Sequence, residues 1–435
     1  MTGGGAHAAR MQDSDGRGAL VLVDGEHYPM VVREALRQLP HEVCGVLLVG
    51  GTEKLRDIPD YGVPMFDGPL EAALTASGAG LVVDLSDEPV LGGPERMALA
   101  ARALARGVAY LGADFCFTPP RLDPFDRPSV SLVGTGKRIG KTALCAHTAR
   151  LLATRWSVVV VSMGRGGPEL PELVTGGRGL ADLLALSRQG RHAASDHLEN
   201  AVLAGVPTVG TRRCGGGMAG ATFVSNTSLG AEMARNLDPD LVLFEGSGAA
   251  LPPVATRRRV LVAGTHQSAD RVTGYLGAYR VLVSDLVVLT ATDPSGGHHR
   301  LRAAIREVKD VPVIAATMRP YPTEDVSGRR VALFTAAPAH ALPAMADHLR
   351  DQHGAKVVHT SGNLAHRDTL RRELADLDAE VFLVEIKAAA IDVVAEHAAA
   401  RGIPVVFTDN RVSALPGEED LDEALLTLAT QALTA

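Results

Sequence analysis

A strand-like segment, a glycine-rich loop and a helical segment follow one another directly between residues 129 and 152. Residues 129–133 (SVSLV) favour a buried strand, residues 134–142 read GTGKRIGKT, and Ala143–Leu152 continues with helical spacing. Glycines let backbone N–H groups converge on phosphate oxygens, and the N-terminus of the following helix adds positive potential. This order of elements predicts a phosphate-binding loop, and with it a parallel α/β sheet that positions the loop.

Individual positions of this loop can be given roles toward ATP and Mg²⁺. We expect Lys141 to reach the β- and γ-phosphates of ATP, and the hydroxyl of Thr142 to hold Mg²⁺. Thr135 stands where the usual pattern has its first glycine, and Gly134 lies one residue earlier. The residues predicted to bind ATP are Gly136, Lys137, Arg138, Ile139, Gly140, Lys141, Thr142, Ala143 and, after a later strand, Asp293.

A dinucleotide-binding turn is the competing interpretation of a glycine-rich connection between a strand and a helix. That turn requires the spacing GxGxxG and an acidic residue at the end of the second strand to hold a ribose. Here the spacing is GxGxxxG, and no Asp or Glu occurs between Ser129 and Pro168. The sequence therefore favours the phosphate loop of a nucleoside triphosphatase over a dinucleotide-binding site.

The remainder of the chain alternates β-branched segments with Ala-, Leu- and Arg-rich segments of helical period, which predicts an α/β fold. We expect a P-loop NTPase-like core with a mostly parallel sheet, preceded by a smaller α/β N-terminal domain. Four prolines between Thr118 and Pro128 favour a boundary there. The predicted domains are residues 1–127, with a role as a lid or in dimerisation, and a catalytic core at 128–435 that includes a C-terminal α/β portion at 329–435.

The strands that this alternation predicts are, in chain order, Ala19–Val23, Val43–Val49, Gly80–Asp84, Val108–Leu111, Val130–Val133, Val158–Val161, Leu241–Phe244, Val260–Val262, Leu286–Leu289, Val311–Ala315, Val331–Phe334, Lys356–His359, Val381–Val384 and Val405–Phe407. The C-terminal four could extend the sheet of the core or form a subdomain of their own.

Composition excludes several classes of protein. The 435 residues are 46% hydrophobic and 21% charged, which is close to the globular average and argues against disorder. No apolar run is long enough to span a bilayer, and the N-terminal residues lack the apolar core of a signal peptide, so we expect a cytoplasmic protein without a membrane partner. A net charge of −7 argues against general nucleic-acid binding, and the four dispersed cysteines disfavour a zinc site or a disulfide scaffold.

A second ligand for the metal is predicted at the end of another strand. The segment Leu241–Phe244 is apolar and is followed directly by Glu245 and a flexible Gly-Ser-Gly turn. An acid at the carboxyl end of a buried strand commonly completes the Mg²⁺ site of a phosphate loop. We therefore assign Glu245 to Mg²⁺, directly or through water; the alternative is a strand-end acid that faces solvent.

Basic residues are concentrated around the phosphate loop. Between Ser129 and Gly215 there are eleven Lys or Arg against five Asp or Glu, although the whole chain is acidic. Guanidinium groups bind phosphate bidentately, and glycine N–H groups add donors, so this excess predicts a strongly anionic co-substrate. The alternative for each arginine is a solvated surface charge. The residues predicted to bind the substrate are Arg165, Arg212, Arg213, Gly215, Gly216 and Gly217.

Three segments resemble the cyclic 2,3-diphosphoglycerate synthetase family. They are GTGKRIGKT at 134–142, RRCGGGMAG at 212–220 and DGEHY at 24–28, and the resemblance extends over nearly the whole chain. It implies an ATP- and Mg²⁺-dependent enzyme, expected as a homodimer, that closes 2,3-diphosphoglycerate into an intramolecular phosphoanhydride and releases ADP and phosphate. The residues then expected to stabilise the transferring phosphoryl group are Lys141, Arg138, Arg165, Arg212 and Arg213.

Two other interpretations stay open. The GTxxxxGKT form also resembles dethiobiotin synthetase. One alternative is therefore a related enzyme: an ATP-dependent ligase, or a kinase that makes 2,3-diphosphoglycerate from 2-phosphoglycerate. A dimeric ATPase switch is the non-catalytic alternative. Such switches carry an additional lysine five residues before the loop lysine, where this chain has Gly136, and the C-terminal residues 420–435 lack the basic face that anionic lipid requires.

Overall fold

The structure, a computed structural model, describes residues 17–55, 57–175, 196–290, 297–364, 366–385 and 391–435. The described residues form two sheets of mostly parallel strands, flanked by helices. Parallel strands are joined by helical crossovers, which is why β-branched and helical segments alternate along the sequence. The predicted α/β class is confirmed.

The N-terminal sheet has six strands in the order β3-β2-β1-β4-β5-β6. Its central strand β1 is completely buried, and every pairing is parallel except that of β5 with β6. The strands are β1 Ala19–Val23, β2 Val43–Leu48, β3 Met65–Phe66, β4 Leu81–Asp84, β5 Ala109–Leu111 and β6 Cys116–Phe117, and the helices are α1 Pro29–Gln38, α2 Leu70–Ser77 and α3 Gly93–Ala105.

The second sheet has thirteen strands, and its first part surrounds the phosphate loop in the order β11-β10-β8-β12-β7-β13-β14-β15, with β9 paired to β10. These strands are β7 Ser129–Gly134, β8 Val158–Gly164, β9 Glu172–Val174, β10 Thr208–Cys214, β11 Val224–Ser225, β12 Leu241–Glu245, β13 Arg258–Gly264, β14 Leu286–Thr290 and β15 Val313–Pro322. The helices are α4 Lys141–Ala153, α5 Asp196–Ala204, α6 Thr227–Asn236, α7 Ala269–Val272, α8 Gly277–Leu282 and α9 Gly297–Val308.

The C-terminal strands extend this same sheet and do not form a separate one. The long strand β15 pairs antiparallel with β19, and the order continues β19-β18-β16-β17. These elements are β16 Arg330–Phe334, α10 Leu342–His353, β17 Lys356–Ser361, α11 Arg367–Ala375, β18 Val381–Glu385, α12 Ile391–Arg401, β19 Val405–Ala414 and α13 Leu421–Thr434. Helix α13 returns to pack with α4, so the end of the chain helps to bury the helix of the phosphate loop.

The N-terminal sheet packs against the larger sheet through helices. Helix α3 lies against α8, and one apolar cluster contains Leu104 of α3, Val281 of α8 and Val133 of β7. The apolar core is therefore continuous from the first sheet to the strand that carries the phosphate loop. None of the helices within the described ranges combines the length and apolar character that crossing a bilayer requires.

Candidate nucleotide and anion site

The phosphate loop connects the buried strand β7 to helix α4, and two of its residues have a positive φ. Gly140 has φ +75°, in the left-handed region, and a Cβ atom at this position would lie 2.5 Å from the side chain of Met318. Arg138 also has a positive φ, of +57°, which is uncommon for a residue with a side chain. The loop is thus held in a strained turn immediately before the helix N-terminus.

The departure from the usual glycine spacing has a local explanation. Thr135 hydroxyl oxygen lies 2.5 Å from Oε1 of Gln267, and its backbone N–H donates to Val262 O at 3.0 Å. The position before it is the crowded one, because a Cβ on Gly134 would lie 2.6 Å from the carbonyl oxygen of Gly248. A glycine is therefore required at 134, whereas a threonine at 135 ties the loop to the end of β13.

Glu245 lies at the carboxyl end of β12, completely buried, and contacts both of the loop residues predicted to act on ATP and metal. Its Oε1 accepts a hydrogen bond from the ammonium group of Lys141 and another, of 2.6 Å, from the hydroxyl of Thr142. The other oxygen, Oε2, accepts from Ser162 Oγ at 2.6 Å and from Asn200 Nδ2 at 2.7 Å. The solvent-facing alternative for Glu245 is therefore wrong.

The charge of Glu245 depends on these contacts. Burial alone would raise the pKa of Glu245, but the ion pair with Lys141 and the hydrogen bonds from Ser162 and Thr142 outweigh burial and lower its pKa. The carboxylate is consequently ionised at neutral pH, as a metal ligand must be.

Arg165 and Arg213 converge on the loop that follows β12. An atom at the Cβ position of Gly248, whose φ is +59°, would lie 3.0 Å from Arg165 Nη2 and 3.6 Å from Arg213 Nη2. Within the described part of the chain neither guanidinium forms an ion pair with a carboxylate. Burial, followed by repulsion from Arg165, lowers the pKa of Arg213, and the buried Nε of Arg213 has no hydrogen-bond partner there. Arg165 is exposed, and two adjacent positive groups without a counter-ion are an arrangement suited to binding an anion.

The other predicted substrate residues lie on strand β10 and in the loop that follows it. Arg212 and Arg213 are neighbours on β10, so their side chains leave the strand on opposite faces of the sheet, and the side chain of Arg212 is exposed. Gly215, Gly216 and Gly217 follow the strand and are exposed.

Of the residues predicted to bind ATP, Lys137 and Arg138 are exposed at the tip of the phosphate loop, whereas Ile139 is buried beneath it. Asp293 lies outside the described residues.

Sequence reasoning missed Ser162, Asn200 and Gln267. Ser162 could have been found, because it is a polar residue within the apolar strand β8 at the level of Glu245, its partner in the neighbouring strand. Asn200 carries no such signal, since it is one polar residue of helix α5 that becomes part of the site only through packing. Gln267 occupies a short turn after β13 whose proximity to Thr135 depends on the order of strands in the sheet.

Taken together, the loop between β7 and α4 and the carboxylate opposite it define a nucleotide-binding protein of the P-loop class. Comparison with known proteins gives the particular family. Residues 129–318 match the family model "Cyclic 2,3-diphosphoglycerate synthetase, P-loop domain", residues 18–118 match the N-terminal domain model of the same enzyme, and residues 322–411 match its C-terminal domain model.

Whole-length relatives agree with these models. A cyclic 2,3-diphosphoglycerate synthetase from Rubrobacter xylanophilus is 47% identical over 433 residues, covering 95% of this chain and 97% of the relative. Proteins of the same name from Thermococcus kodakarensis and Methanothermobacter thermautotrophicus are 41% and 38% identical, each over 95% of this chain, covering 99% and 96% of the relative. The chain therefore belongs to the cyclic 2,3-diphosphoglycerate synthetase family, and the resemblance seen in its motifs is confirmed.

Proposed function

We propose that this chain uses ATP and Mg²⁺ to close 2,3-diphosphoglycerate into cyclic 2,3-diphosphoglycerate, releasing ADP and inorganic phosphate. The observation that carries the proposal is the pair Arg165 and Arg213, which meet at Gly248 without a carboxylate partner among the described residues. Gly248 follows Glu245 by three residues, so this pair adjoins the loop that binds the nucleotide. A doubly phosphorylated acid supplies the negative charge that such a pair lacks.

The repulsion between phosphates is the principal barrier to this reaction. Two phosphates on adjacent carbons repel each other and also repel the incoming γ-phosphoryl group. Cationic side chains that are already in place offset this repulsion without reorganisation, and they hold the reacting oxygens in line. We assign that role to Lys141 and Arg138 on the nucleotide side, and to Arg165, Arg212 and Arg213 on the substrate side.

The chemistry proceeds in two displacements at phosphorus. One substrate phosphate attacks the γ-phosphorus of ATP, the bond to the β–γ bridging oxygen breaks, and ADP leaves. The second substrate phosphate then attacks the phosphorus of the first, forming the ring anhydride and expelling the transferred group as inorganic phosphate. Both nucleophiles belong to the substrate and are ionised near neutral pH, so the proposal requires no Ser or Cys nucleophile and no strong general base.

The residues around Glu245 fit a magnesium ion bound together with nucleotide phosphates. Mg²⁺ is commonly bound by one or two protein oxygens and by phosphate oxygens, and a carboxylate beside a hydroxyl is a suitable pair. Oxygens of Glu245 and Thr142 lie 2.6 Å apart, and the described residues contain no cluster of three or more His, Cys, Asp or Glu that could hold a metal by itself. When bound, the ion would neutralise charge on the β- and γ-phosphates.

A product analysis tests the proposed function. The purified chain is incubated with ATP, Mg²⁺ and a panel of singly and doubly phosphorylated acids, and phosphorus NMR follows the products. We expect ADP, free phosphate and a coupled phosphoanhydride pair from 2,3-diphosphoglycerate alone. Formation of 2,3-diphosphoglycerate from 2-phosphoglycerate would identify a kinase, acyl phosphate formation a ligase, and ATP hydrolysis without any acid an ATPase switch; each would refute the proposal.

We predict that Arg212→Ala mainly weakens binding of the anionic substrate. The side chain of Arg212 is exposed, so its removal tests charge with little disturbance of the fold. We expect the KM for 2,3-diphosphoglycerate to rise about tenfold, the effect of losing one charge-assisted contact, while kcat and the KM for ATP change little. Arg155→Ala is the matched control, because Arg155 is also exposed and lies between the end of α4 and the start of β8, at the opposite edge of the sheet. If Arg212→Ala and Arg155→Ala had the same KM for 2,3-diphosphoglycerate, Arg212 would not be a substrate-binding residue.

The proposed role of residues 1–127 is to exclude water from the phosphorylated intermediate, as a lid or as a dimer contact in a homodimer. The continuous apolar cluster that joins Leu104, Val281 and Val133 supports a direct association of these residues with the core. A chain that begins near Arg127 and retains full activity would contradict this role, and sedimentation of the full-length protein at several concentrations tests the dimer.

A further inference from the structure

Two backbone loops form the wall of the anion site. The glycine loop, residues 215–220, follows β10, and the strand-end loop, residues 246–251, follows β12. The two are joined directly by a hydrogen bond from the N–H of Leu251 to Gly220 O, 2.8 Å long. Arg213 joins them again, because its Nη1 donates to Gly215 O and its Nη2 to Ser247 O, each at 2.8 Å.

A second arginine joins the same two loops further along. Arg280 of helix α8 donates from Nε to Ala249 O at 2.7 Å and from Nη2 to Met218 O at 3.1 Å. Its side chain is buried, with 6% of the residue exposed, and it forms no ion pair with a carboxylate of the described residues. Burial, together with repulsion from Arg271, lowers the pKa of Arg280 to about 10, so the group is still charged at neutral pH.

This arrangement suits an anion site for an electrostatic reason. Carbonyl oxygens carry partial negative charge and repel phosphate, whereas backbone N–H groups attract it. Arg280 engages one carbonyl of each loop, which orients those oxygens toward a buried cation. Gly220 leaves the necessary space, because a Cβ there would lie 2.0 Å from Leu251 and 3.3 Å from Arg280 Nη2.

We propose that Arg280 is a positioning residue for the anion site: it holds the glycine loop and the strand-end loop in register so that Arg213 and the backbone donors face the phosphorylated acid. This inference rests on the proposed function for the identity of that acid. It also assigns a physical role to the N-terminal sheet, since α8 packs against α3 and so transmits the position of that sheet to the two loops.

The test compares Arg280→Met with wild type in the full-length protein. Calorimetry without nucleotide measures binding of the proposed substrate, 2,3-diphosphoglycerate (also called 2,3-bisphosphoglycerate), and separately binding of inorganic pyrophosphate. Steady-state kinetics give the KM of each substrate. We expect both anions to bind about tenfold or more weakly and the KM for the acid to rise, with little change in affinity for a non-hydrolysable ATP analogue. In Arg280→Lys the charge is kept, but the lysine ammonium group can contact only one of the two carbonyls at a time. The affinity of this variant for both anions should lie between those of wild type and Arg280→Met.

Arg259→Met is the matched control for burial. Arg259 is 8% exposed and also bonds a carbonyl, Val283 O, but it lies near the start of β13, at the end of the strand away from the site. We expect Arg259→Met to lower thermal stability with unchanged anion affinity. The inference is overturned if Arg280→Met binds both anions as wild type does, or if both variants lose affinity equally.

Failure of the proposed function gives a different result. If wild type binds pyrophosphate but not 2,3-bisphosphoglycerate, the assigned substrate is wrong, and Arg280 is judged by the same comparison on pyrophosphate alone. If wild type binds neither anion, both the anion site and the role of Arg280 are refuted.

Discussion

Replacement of Lys141 by alanine is expected to abolish ATP-dependent turnover, with a loss of at least about a thousandfold in kcat. Lys141 is the first residue of helix α4, and its ammonium group contacts Glu245. With ATP present, the same flexible side chain can reach the β- and γ-phosphates, so its removal takes away the cation nearest to the transferring group. A further effect is that Glu245 loses its only cationic partner among the described residues.

A lysine remote from the site provides the control. Lys309 is also partly buried, and its ammonium group donates to Leu282 O at 3.0 Å and Ser284 O at 2.6 Å. Lys309→Ala should reduce the thermal midpoint and leave kcat near the wild-type value. ADP release, measured with both variants at saturating substrate, decides the matter: near-normal turnover by Lys141→Ala would refute the assignment of the phosphate loop.

The phosphate loop could be predicted from sequence because all its constraints are local. The strand, the glycines and the Lys-Thr pair lie within about twenty consecutive residues. The one unusual feature, threonine at 135 with glycine at 134, is explained by contacts of these two residues with Gln267 and Gly248. Glu245 was predictable for a related reason. An apolar strand that ends in an acid and a flexible turn places the acid at the carboxyl edge of a parallel sheet, where the loop also lies.

Other parts of the site depend on contacts between distant segments. Strand β10 was not predicted, because glycine and arginine interrupt its apolar pattern, and so the sequence could not show that Arg212 and Arg213 leave opposite faces of a strand. Asn200 and Arg280 reach the site from helices that lie elsewhere in the chain. Their roles follow from the order of the strands in the sheet, for which the sequence offers no local signal.

The C-terminal strands illustrate the same limit at the level of the fold. Their alternation with helices was predictable, but whether they extended the main sheet depended on the pairing of β15 with β19. Both strands are ten residues long, although the predicted segments ended at Ala315 and Phe407. The additional residues include Pro320 and Pro322 in one strand and Asp409 and Asn410 in the other, which do not favour a strand by propensity. Tertiary pairing overrides that propensity.

Replacement of Glu245 by glutamine is the second change for which we expect a large effect. Glutamine has the same shape, but its NH₂ group would face either Lys141 and Thr142 or Ser162 and Asn200, and all four donate to the present carboxylate. The variant should lose Mg²⁺-dependent turnover by about a hundredfold or more. Because it leaves a buried cation without its partner, the free energy of unfolding should fall by about 3–5 kcal/mol.

Glu385→Gln is the matched control for this substitution. Glu385 ends the parallel strand β18, is 9% exposed and accepts from Thr335 Oγ1, Asn410 Nδ2 and the N–H of Ala336, but it has no cationic partner among the described residues. Glu385→Gln should therefore lower the free energy of unfolding by less than Glu245→Gln does, and it should leave the dependence of activity on Mg²⁺ unchanged. Full activity of Glu245→Gln at low Mg²⁺ would exclude Glu245 as a metal ligand.

The pH dependence of stability separates the charge of Glu245 from its shape. Because its pKa is lower in the folded protein than in the unfolded chain, ionised Glu245 stabilises the fold above the unfolded pKa, about 4.3, and this contribution is lost as the pH falls through the folded value. Glutamine does not titrate, so the difference in unfolding free energy between wild type and Glu245→Gln should be constant near neutral pH and should narrow below about pH 4. Urea unfolding of both proteins between pH 7 and pH 3 measures it. If this difference in unfolding free energy stayed constant from pH 7 to pH 3, the charge of Glu245 would not contribute to stability. The shape and hydrogen bonds of the side chain at 245 would then account for the whole effect.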